Sequence, residues 1–342
     1  CICPDNAESI WERTAEKFQE EKFLPQNLLQ EMQVERMCST DDPVDSLEYH
    51  KKLEDTPLAG VVRPTFRPDN AMNIFKPSWQ EYIGRLEDRV GNRFETVDDV
   101  VDALQVCHDY FASCGCVASD HGVEVPYGYS VNRDDANEAF RKAYAGKSLL
   151  HKEMVAYMSY ILHAVGEMDS AKDWVFQLHM GAVRDQRDKL YNEIGLDSGG
   201  DISDHAIHIA EPLHDFLNRF DDRLKIVMYT LDPNHQSTVA ALCRAFGEKV
   251  NVGAAWWLND SPVGMKEQLF YVAAVDLLTN YAGMVTDSRK LLSYSSRTEM
   301  FRRCLADVLG QMVEQSRMPP RTADRIAYNL AYKRPKEFFG LA

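Results

Sequence analysis

The 342-residue chain carries 38 Lys and Arg against 53 Asp and Glu, for a formal net charge of −15, and 45% of it is hydrophobic. That length and apolar content suffice for a substantial core, while the charge argues against nucleic acid and anionic membranes, which both need a concentrated positive footprint. No run approaches the roughly 18 apolar residues that span a bilayer and no charged-then-apolar leader opens the chain, so the expected compartment is the cytoplasm.

Taken in chain order, short β-rich runs alternate with helical patterns. MQVERMCSTDD (32–42) and GVVRPTFRPD (60–69) come first. TVDDVVDALQVCHDYFASC (96–114) follows, with Val97, Val100, Val101, Leu104, Val106 and Phe111 at helical spacing and Asp98 and Asp99 in the first turn, where the helix dipole favours them. Next are the runs GCVASDHGV (115–123) and WVFQLHMGAV (174–183), then LDSGGDISD (196–204), which reads as a surface loop. LKIVMYTLDP (224–233) precedes the helix STVAALCRAFG (237–247), with a Ser or Thr cap and Gly247 as its stop. The run VNVGAAWWLND (250–260), the helix 261–283, the run AGMVTDSRKL (282–291) and the helix 298–315 complete the chain.

The runs are mostly apolar rather than alternating, as strands covered on both faces are. Repeated strand and helix units imply a parallel sheet with right-handed crossovers, either doubly wound or closed as a (β/α)₈ barrel. Nearly every run ends in polar groups: Arg67 and Asp69, Asp120 and His121, His179, Asp232, Asp260, then Asp287 and Arg289. A doubly wound sheet gathers its site at one switch point, a barrel from all strand ends, so the barrel is the expected fold. No G-x-G-x-x-G turn or P-loop supports a nucleotide cradle. The eight cysteines, at 1, 3, 38, 107, 114, 116, 243 and 304, are too sparse for a disulfide scaffold. Neither Cys1 with Cys3 nor Cys107, Cys114 and Cys116 near His108 and His121 has zinc-knuckle spacing, so free thiols are expected.

Asp287 reads as a metal ligand, a general base or a loop cap. On an extended chain Arg289 lies on its side two residues on, so both can face one cavity, the guanidinium able to clamp a carboxylate in bidentate fashion. His179, in QLHMGA, is either a core imidazole or a site residue with room above it. Asp120 and His121 point to opposite faces, so one enters the barrel mouth and the other is expected to fix the loop. Trp256 and Trp257 could stack on a sugar or simply pack. Residues 1–342 hold no H-x-H pair, the usual way a barrel strand offers two imidazoles to one metal.

The blocks STDDPVDSLEYH, RPTFRPDNAMNI, GCVASDHGV, WVFQLHMGAVRD, WWLNDSPVGM and GMVTDSRKLLSYSSRTEMFRR, in this order and over almost the whole chain, resemble the uronate isomerase (glucuronate isomerase) family of the amidohydrolase superfamily. The resemblance implies a distorted (β/α)₈ TIM-type barrel: a single domain over 1–342 holding strands 2 to 8, with helical insertions at 70–112, 134–170 and 185–222. It implies aldose–ketose isomerisation of D-glucuronate to D-fructuronate and of D-galacturonate to D-tagaturonate in hexuronate catabolism. It also implies one divalent metal, zinc in many members, bound through Asp287 and an H-x-H on the first strand. Asp120, His179, Asp287 and Arg289 become the catalytic residues and Arg67 and Arg289 the substrate contacts, beside which the stacking reading of Trp256 and Trp257 adds those two as expected substrate contacts. The partners implied are a small uronate and, in a homo-oligomer, further copies of the chain. The family's first strand and H-x-H belong to a segment ahead of Cys1, so a longer natural protein is expected, and a native mass of 39.0 kDa would overturn that. Rival readings are another metal-dependent hydrolase or decarboxylase on the same barrel, and a sugar-acid-binding protein without catalysis.

Overall fold

The computed structural model describes residues 2–341, so Cys1 lies outside the described residues. Among the described residues eight strands follow one another: β1 (Met37–Cys38), β2 (Val62–Arg63), β3 (Ala118–Val123), β4 (Val175–Met180), β5 (Ala182–Val183), β6 (Ile202–Ser203), β7 (Lys225–Thr230) and β8 (Val250–Val252). β3, β4, β7 and β8 form a parallel sheet in that order, and β1 pairs in parallel with β2. Single parallel bridges carry the series onward, Phe66 to Ser119 on one side and Val252 to Tyr281 on the other. Apart from the antiparallel β5–β6 pair, strand order in space is therefore strand order in sequence. This is the progression of a TIM-type barrel, and among the described residues it stays open between β1 and Tyr281.

Six of the seven expected runs contain a parallel strand, and the seventh does not. Residues 282–291 keep only the ladder bond from Ala282 N to Val252 O, at 2.9 Å. Gly283 then turns into the left-handed region at φ +97, where an added Cβ would stand 2.7 Å from Pro335, and Asp287 is left-handed again at φ 41. A run with one neighbour and two such breaks cannot continue a ladder. The 196–204 stretch, expected as a loop, contributes β6, which pairs with β5 at Ala182↔Ser203 and Val183↔Ile202.

Alternation along the strands separates two apolar cores. Phe176, Leu178, Met180, Ile226 and Met228 face outward and pack with the surrounding helices. Those helices include Val97–Ser113, His151–Lys172, Ala210–Arg219 and Gln236–Phe246. Ala118, Val175, Val227, Tyr229 and Leu231 share an inner cluster with Trp256, Phe338 and Phe339. The terminal helix Arg334–Phe338 thus plugs the barrel interior, and Lys225 Nζ donates to the Phe338 carbonyl at 3.4 Å. Each buried Phe contributes about 1.5–3 kcal/mol of apolar burial.

Local signals explain most helix boundaries. Thr96 and Asp99 form a reciprocal capping box ahead of Val97–Ser113. Within that helix Val100, Leu104 and Phe111 are buried as expected, but Val106 is exposed, because Cys107 and His108 take the core-facing positions there. The helix Gln236–Phe246 is entered through a short 3-10 turn capped by Asp232, whose carboxylate accepts from Asn234 N at 2.8 Å, so the cap is not Ser237 or Thr238. It stops at Gly247, φ 75, as expected.

Candidate active site

Phe66 is the hinge that brings the first charge to the site. Its N–H donates to Ala118 O and its carbonyl accepts from Asp120 N, at 3.1 and 2.9 Å, so Arg67 emerges beside the Asp120 side chain. Arg67 Nε donates to Asp69 Oδ2 at 2.7 Å and Nη1 lies 3.2 Å from Asp120 Oδ2. Gly122 makes room for this arrangement: a Cβ there would sit 2.2 Å from Arg67 Nη2, and its N–H donates to Asp69 at 3.1 Å.

The other Asp120 oxygen takes His179. Asp120 Oδ1 and His179 Nδ1 are 2.6 Å apart, joining β3 to β4 on their inner face. The imidazole lies flat on the Tyr229 ring of β7, with centroids 4.2 Å apart and planes 4° apart, and meets Trp256 edge-on at 4.8 Å. Trp256 Nε1 in turn donates to Asp287 Oδ2 at 2.9 Å. A continuous path of contacts thus crosses the barrel from Arg67 to Asp287.

Charge in this cluster is strongly biased. Burial alone would raise the Asp120 carboxyl, but the His179 contact and the Arg67 guanidinium outweigh it and hold it well below the usual carboxylate range. An ionised carboxylate can only accept, so His179 carries its proton on Nδ1 when neutral and Nε2 is left with a lone pair. Arg67 is desolvated too, yet Asp120 and Asp69 make it hold its proton more tightly. Burial raises Asp69 despite its Arg67 partner.

The expected site residues do not all land as the sequence suggests. Asp120 and His179 meet, with Arg67 on them. His121 does point to the opposite face, but it does not fix a loop: it is fully buried, stacks on Phe176 at 4.1 Å, and burial pushes it down to about 3. Asp287 and Arg289 do not share one face of an extended chain, because Asp287 is left-handed. The Arg289 side chain is 81% exposed and its nearest carboxylate is Asp197 at 3.7 Å. Trp256 does not offer a sugar-stacking face, since its ring is buried between His179, Trp257 and the inner core. Trp257 is partly exposed, with the Arg184 guanidinium 4.7 Å over its ring.

Three residues escaped the sequence reading. Tyr229 underlies His179, and Gln177 accepts the Tyr229 hydroxyl at 3.1 Å. Arg297 pairs with the buried Asp260 and donates to Thr286 O at 2.6 Å, anchoring the irregular segment that carries Asp287. For Tyr229 and Gln177 the signal was present: Val227, Tyr229 and Leu231 alternate onto the face that Gln177 and His179 share on β4. Nothing local marks Arg297.

Asp287 offers one carboxylate, already bonded to Trp256, and among the described residues no three His, Cys, Asp or Glu side chains are grouped to hold a metal ion. Structural and catalytic zinc sites use three or more protein donors, so these residues do not by themselves fit a zinc centre.

Polar groups drawn from neighbouring parallel strands to one mouth are the arrangement of a TIM-type barrel enzyme. The glucuronate isomerase family model matches residues 1–339, and the chain belongs to that family. It is similar to the uronate isomerase of Thermotoga maritima, with 47% identity over 338 residues that cover 99% of this chain and 74% of that protein. The uronate isomerase of Caldanaerobacter subterraneus subsp. tengcongensis is 36% identical, over 98% of this chain and 74% of its own. The crystal structure of the Thermotoga maritima uronate isomerase superposes with a TM-score of 0.95, over 99% of this chain and 74% of that one. That of glucuronate isomerase from Caulobacter crescentus gives 0.93 at 25% identity, over 98% and 70%.

Proposed function

We propose that this chain acts as a uronate isomerase, interconverting D-glucuronate with D-fructuronate and D-galacturonate with D-tagaturonate in cytoplasmic hexuronate catabolism. The observation that supports this reading best is the Asp120–His179 pair, locked between Arg67 and Tyr229 and linked through Trp256 to Asp287, in a chain of this family.

Aldose–ketose isomerisation moves hydrogen from C2 to C1 of the open-chain sugar and a proton between the two oxygens. His179 is set up for the oxygens: Asp120 fixes the tautomer, so Nε2 can accept a hydroxyl proton and return it. Asp287 has one oxygen held by Trp256 N–H, and in this reading the other takes the proton from C2 and returns one at C1. Arg67, paired with Asp69 and Asp120, orients the pair and stabilises negative charge that develops beside it. Arg289, exposed and weakly paired, is the guanidinium able to clamp the uronate carboxylate.

The family reading adds one divalent metal, zinc, with Asp287 as its ligand on this chain. Since the described donors do not complete such a centre, residues 1–342 purified alone are expected to retain well under one zinc per chain after dialysis, and stoichiometric retention by elemental analysis would overturn that. The function itself is tested by incubating the protein with D-glucuronate in D₂O and following the products by NMR. D-fructuronate with deuterium at C1 is expected. Absence of isomerisation counts against the function, and isomerisation without deuterium counts against Asp287 as the base.

A further inference from the structure

We propose that Tyr229, seated on Gly253, is a positioning residue that sets the plane of the His179 imidazole. This inference rests on the reading of His179 as a reacting group.

Hydrogen bonding at Nδ1 holds one point of the imidazole, but leaves the ring able to rotate about that bond. The second constraint is the Tyr229 face, 4.2 Å away and within 4° of parallel, while Trp256 closes the edge at 4.8 Å. Face, edge and hydrogen bond together leave one orientation for Nε2. Tyr229 can serve as a reference plane because it is itself immobilised. It is 1% exposed, and its hydroxyl donates to Gln177 Oε1 at 3.1 Å.

The far side of the ring supplies the independent observation. A Cβ on Gly253 would stand 2.3 Å from Tyr229 Cδ1 and 2.4 Å from Cε1, well inside contact distance. Gly253 has no positive φ to explain a glycine. Its missing side chain is instead what lets the phenol lie directly against the backbone that follows β8. The result is a three-layer stack of Gly253 backbone, phenol and imidazole. A bulkier residue at 253 would tilt the phenol, and the imidazole with it. Misdirection of a reacting group by about 1 Å is enough to cost on the order of a hundredfold in rate.

The test compares Tyr229→Phe, Tyr229→Leu and Gly253→Ala with the parent protein on D-glucuronate, with thermal unfolding as a control on folding. Tyr229→Phe keeps the ring and is expected to hold kcat within about threefold. Tyr229→Leu and Gly253→Ala are expected to lower kcat by about 10- to 100-fold with KM within about threefold. Unchanged kcat in both, or equal loss in the Phe and Leu variants, overturns the proposal. A second readout does not depend on turnover: the His179 ring protons, assigned with a His179→Asn control, should be shifted upfield by the Tyr229 ring current in the parent and the Phe variant, and lose that shift in the Leu variant. If the parent fails to isomerise uronates, the functional reading fails while this shift still decides the stack, and a parent without it overturns the positioning role.

Discussion

The two sides of the barrel mouth are built on opposite terms. Asp120, His179 and Tyr229 stand on three strands in continuous parallel register, His179 opposite both Gly122 and Tyr229. The Asp120 and His179 side chains are only 8% and 14% exposed. Asp287 and Arg289 ride on residues 284–290, which belong to no helix or strand, and are held by the Trp256 and Arg297 contacts instead of a ladder. Groups on a ladder are placed in advance and pay little to reorganise, whereas groups on irregular backbone can adjust to a substrate. One side is therefore suited to orienting a hydroxyl proton, the other, with Asp287 and Arg289, to meeting the carbon and the carboxylate of the substrate.

Substituting the rigid side should hurt turnover most. Asp120→Asn removes the charge that fixes the His179 tautomer and neutralises Arg67, and is expected to lower kcat by about 10³- to 10⁴-fold, since a mis-set tautomer disables the dyad. A loss below tenfold would show that the dyad is structural. Asp287→Asn, on an exposed segment, should lower kcat by roughly 10²- to 10³-fold while leaving the unfolding midpoint within about 1–2 °C. A large drop in that midpoint would mean the flexible side is a structural strut after all.

Smaller effects sharpen the contrast. Arg289→Met should raise KM for D-glucuronate by about 10- to 100-fold, the worth of a charge-assisted hydrogen bond, and leave a neutral hexose nearly unaffected. Equal loss on both sugars would remove the clamp.

The pH dependence of stability probes the back of the rigid side. His121 is neutral in the fold down to about 3 but titrates near 6.5 when unfolded. The unfolded state thus binds more protons between those values. Its contribution is fully present above roughly pH 6.5 and is lost as pH falls toward 3. His121 Nε2 lies 3.0 Å from Ser119 Oγ, whose own proton goes to Asp169; His121→Gln, whose amide can still donate to Ser119, should flatten the fall in urea midpoint between pH 7.5 and 5, and an unaltered slope would rule out His121 as its source. The depressed Asp120 carboxyl acts in a lower window, with stability present above about 3.9 and lost as pH drops further.

Much of this was legible because it is local or periodic. Apolar runs of strand length, the Thr96 and Asp99 capping box and polar residues at run ends follow from period and propensity, and they brought Arg67, Asp120 and His179 forward as candidates. The 282–291 run failed for the same local reason: its composition is that of a strand, but a strand needs neighbours, and Gly283 is pressed against Pro335 from the last helix. Trp256 and Trp257 read as equivalent in sequence, yet a 3-10 turn that begins at Trp257 buries the first and leaves the second at the surface under Arg184.

Sequence alone determined the strand and helix alternation, the parallel architecture and, through long ordered motifs, the family. Tertiary structure decided which polar ends meet. It set Asp120 on His179 across adjacent strands, laid Tyr229 beneath the imidazole because Gly253 yields the space, and separated Arg289 from Asp287 by a left-handed turn. Periodicity encodes which face a side chain takes. Which groups touch depends on register and on packing between residues far apart in the chain, and a local pattern does not carry that information.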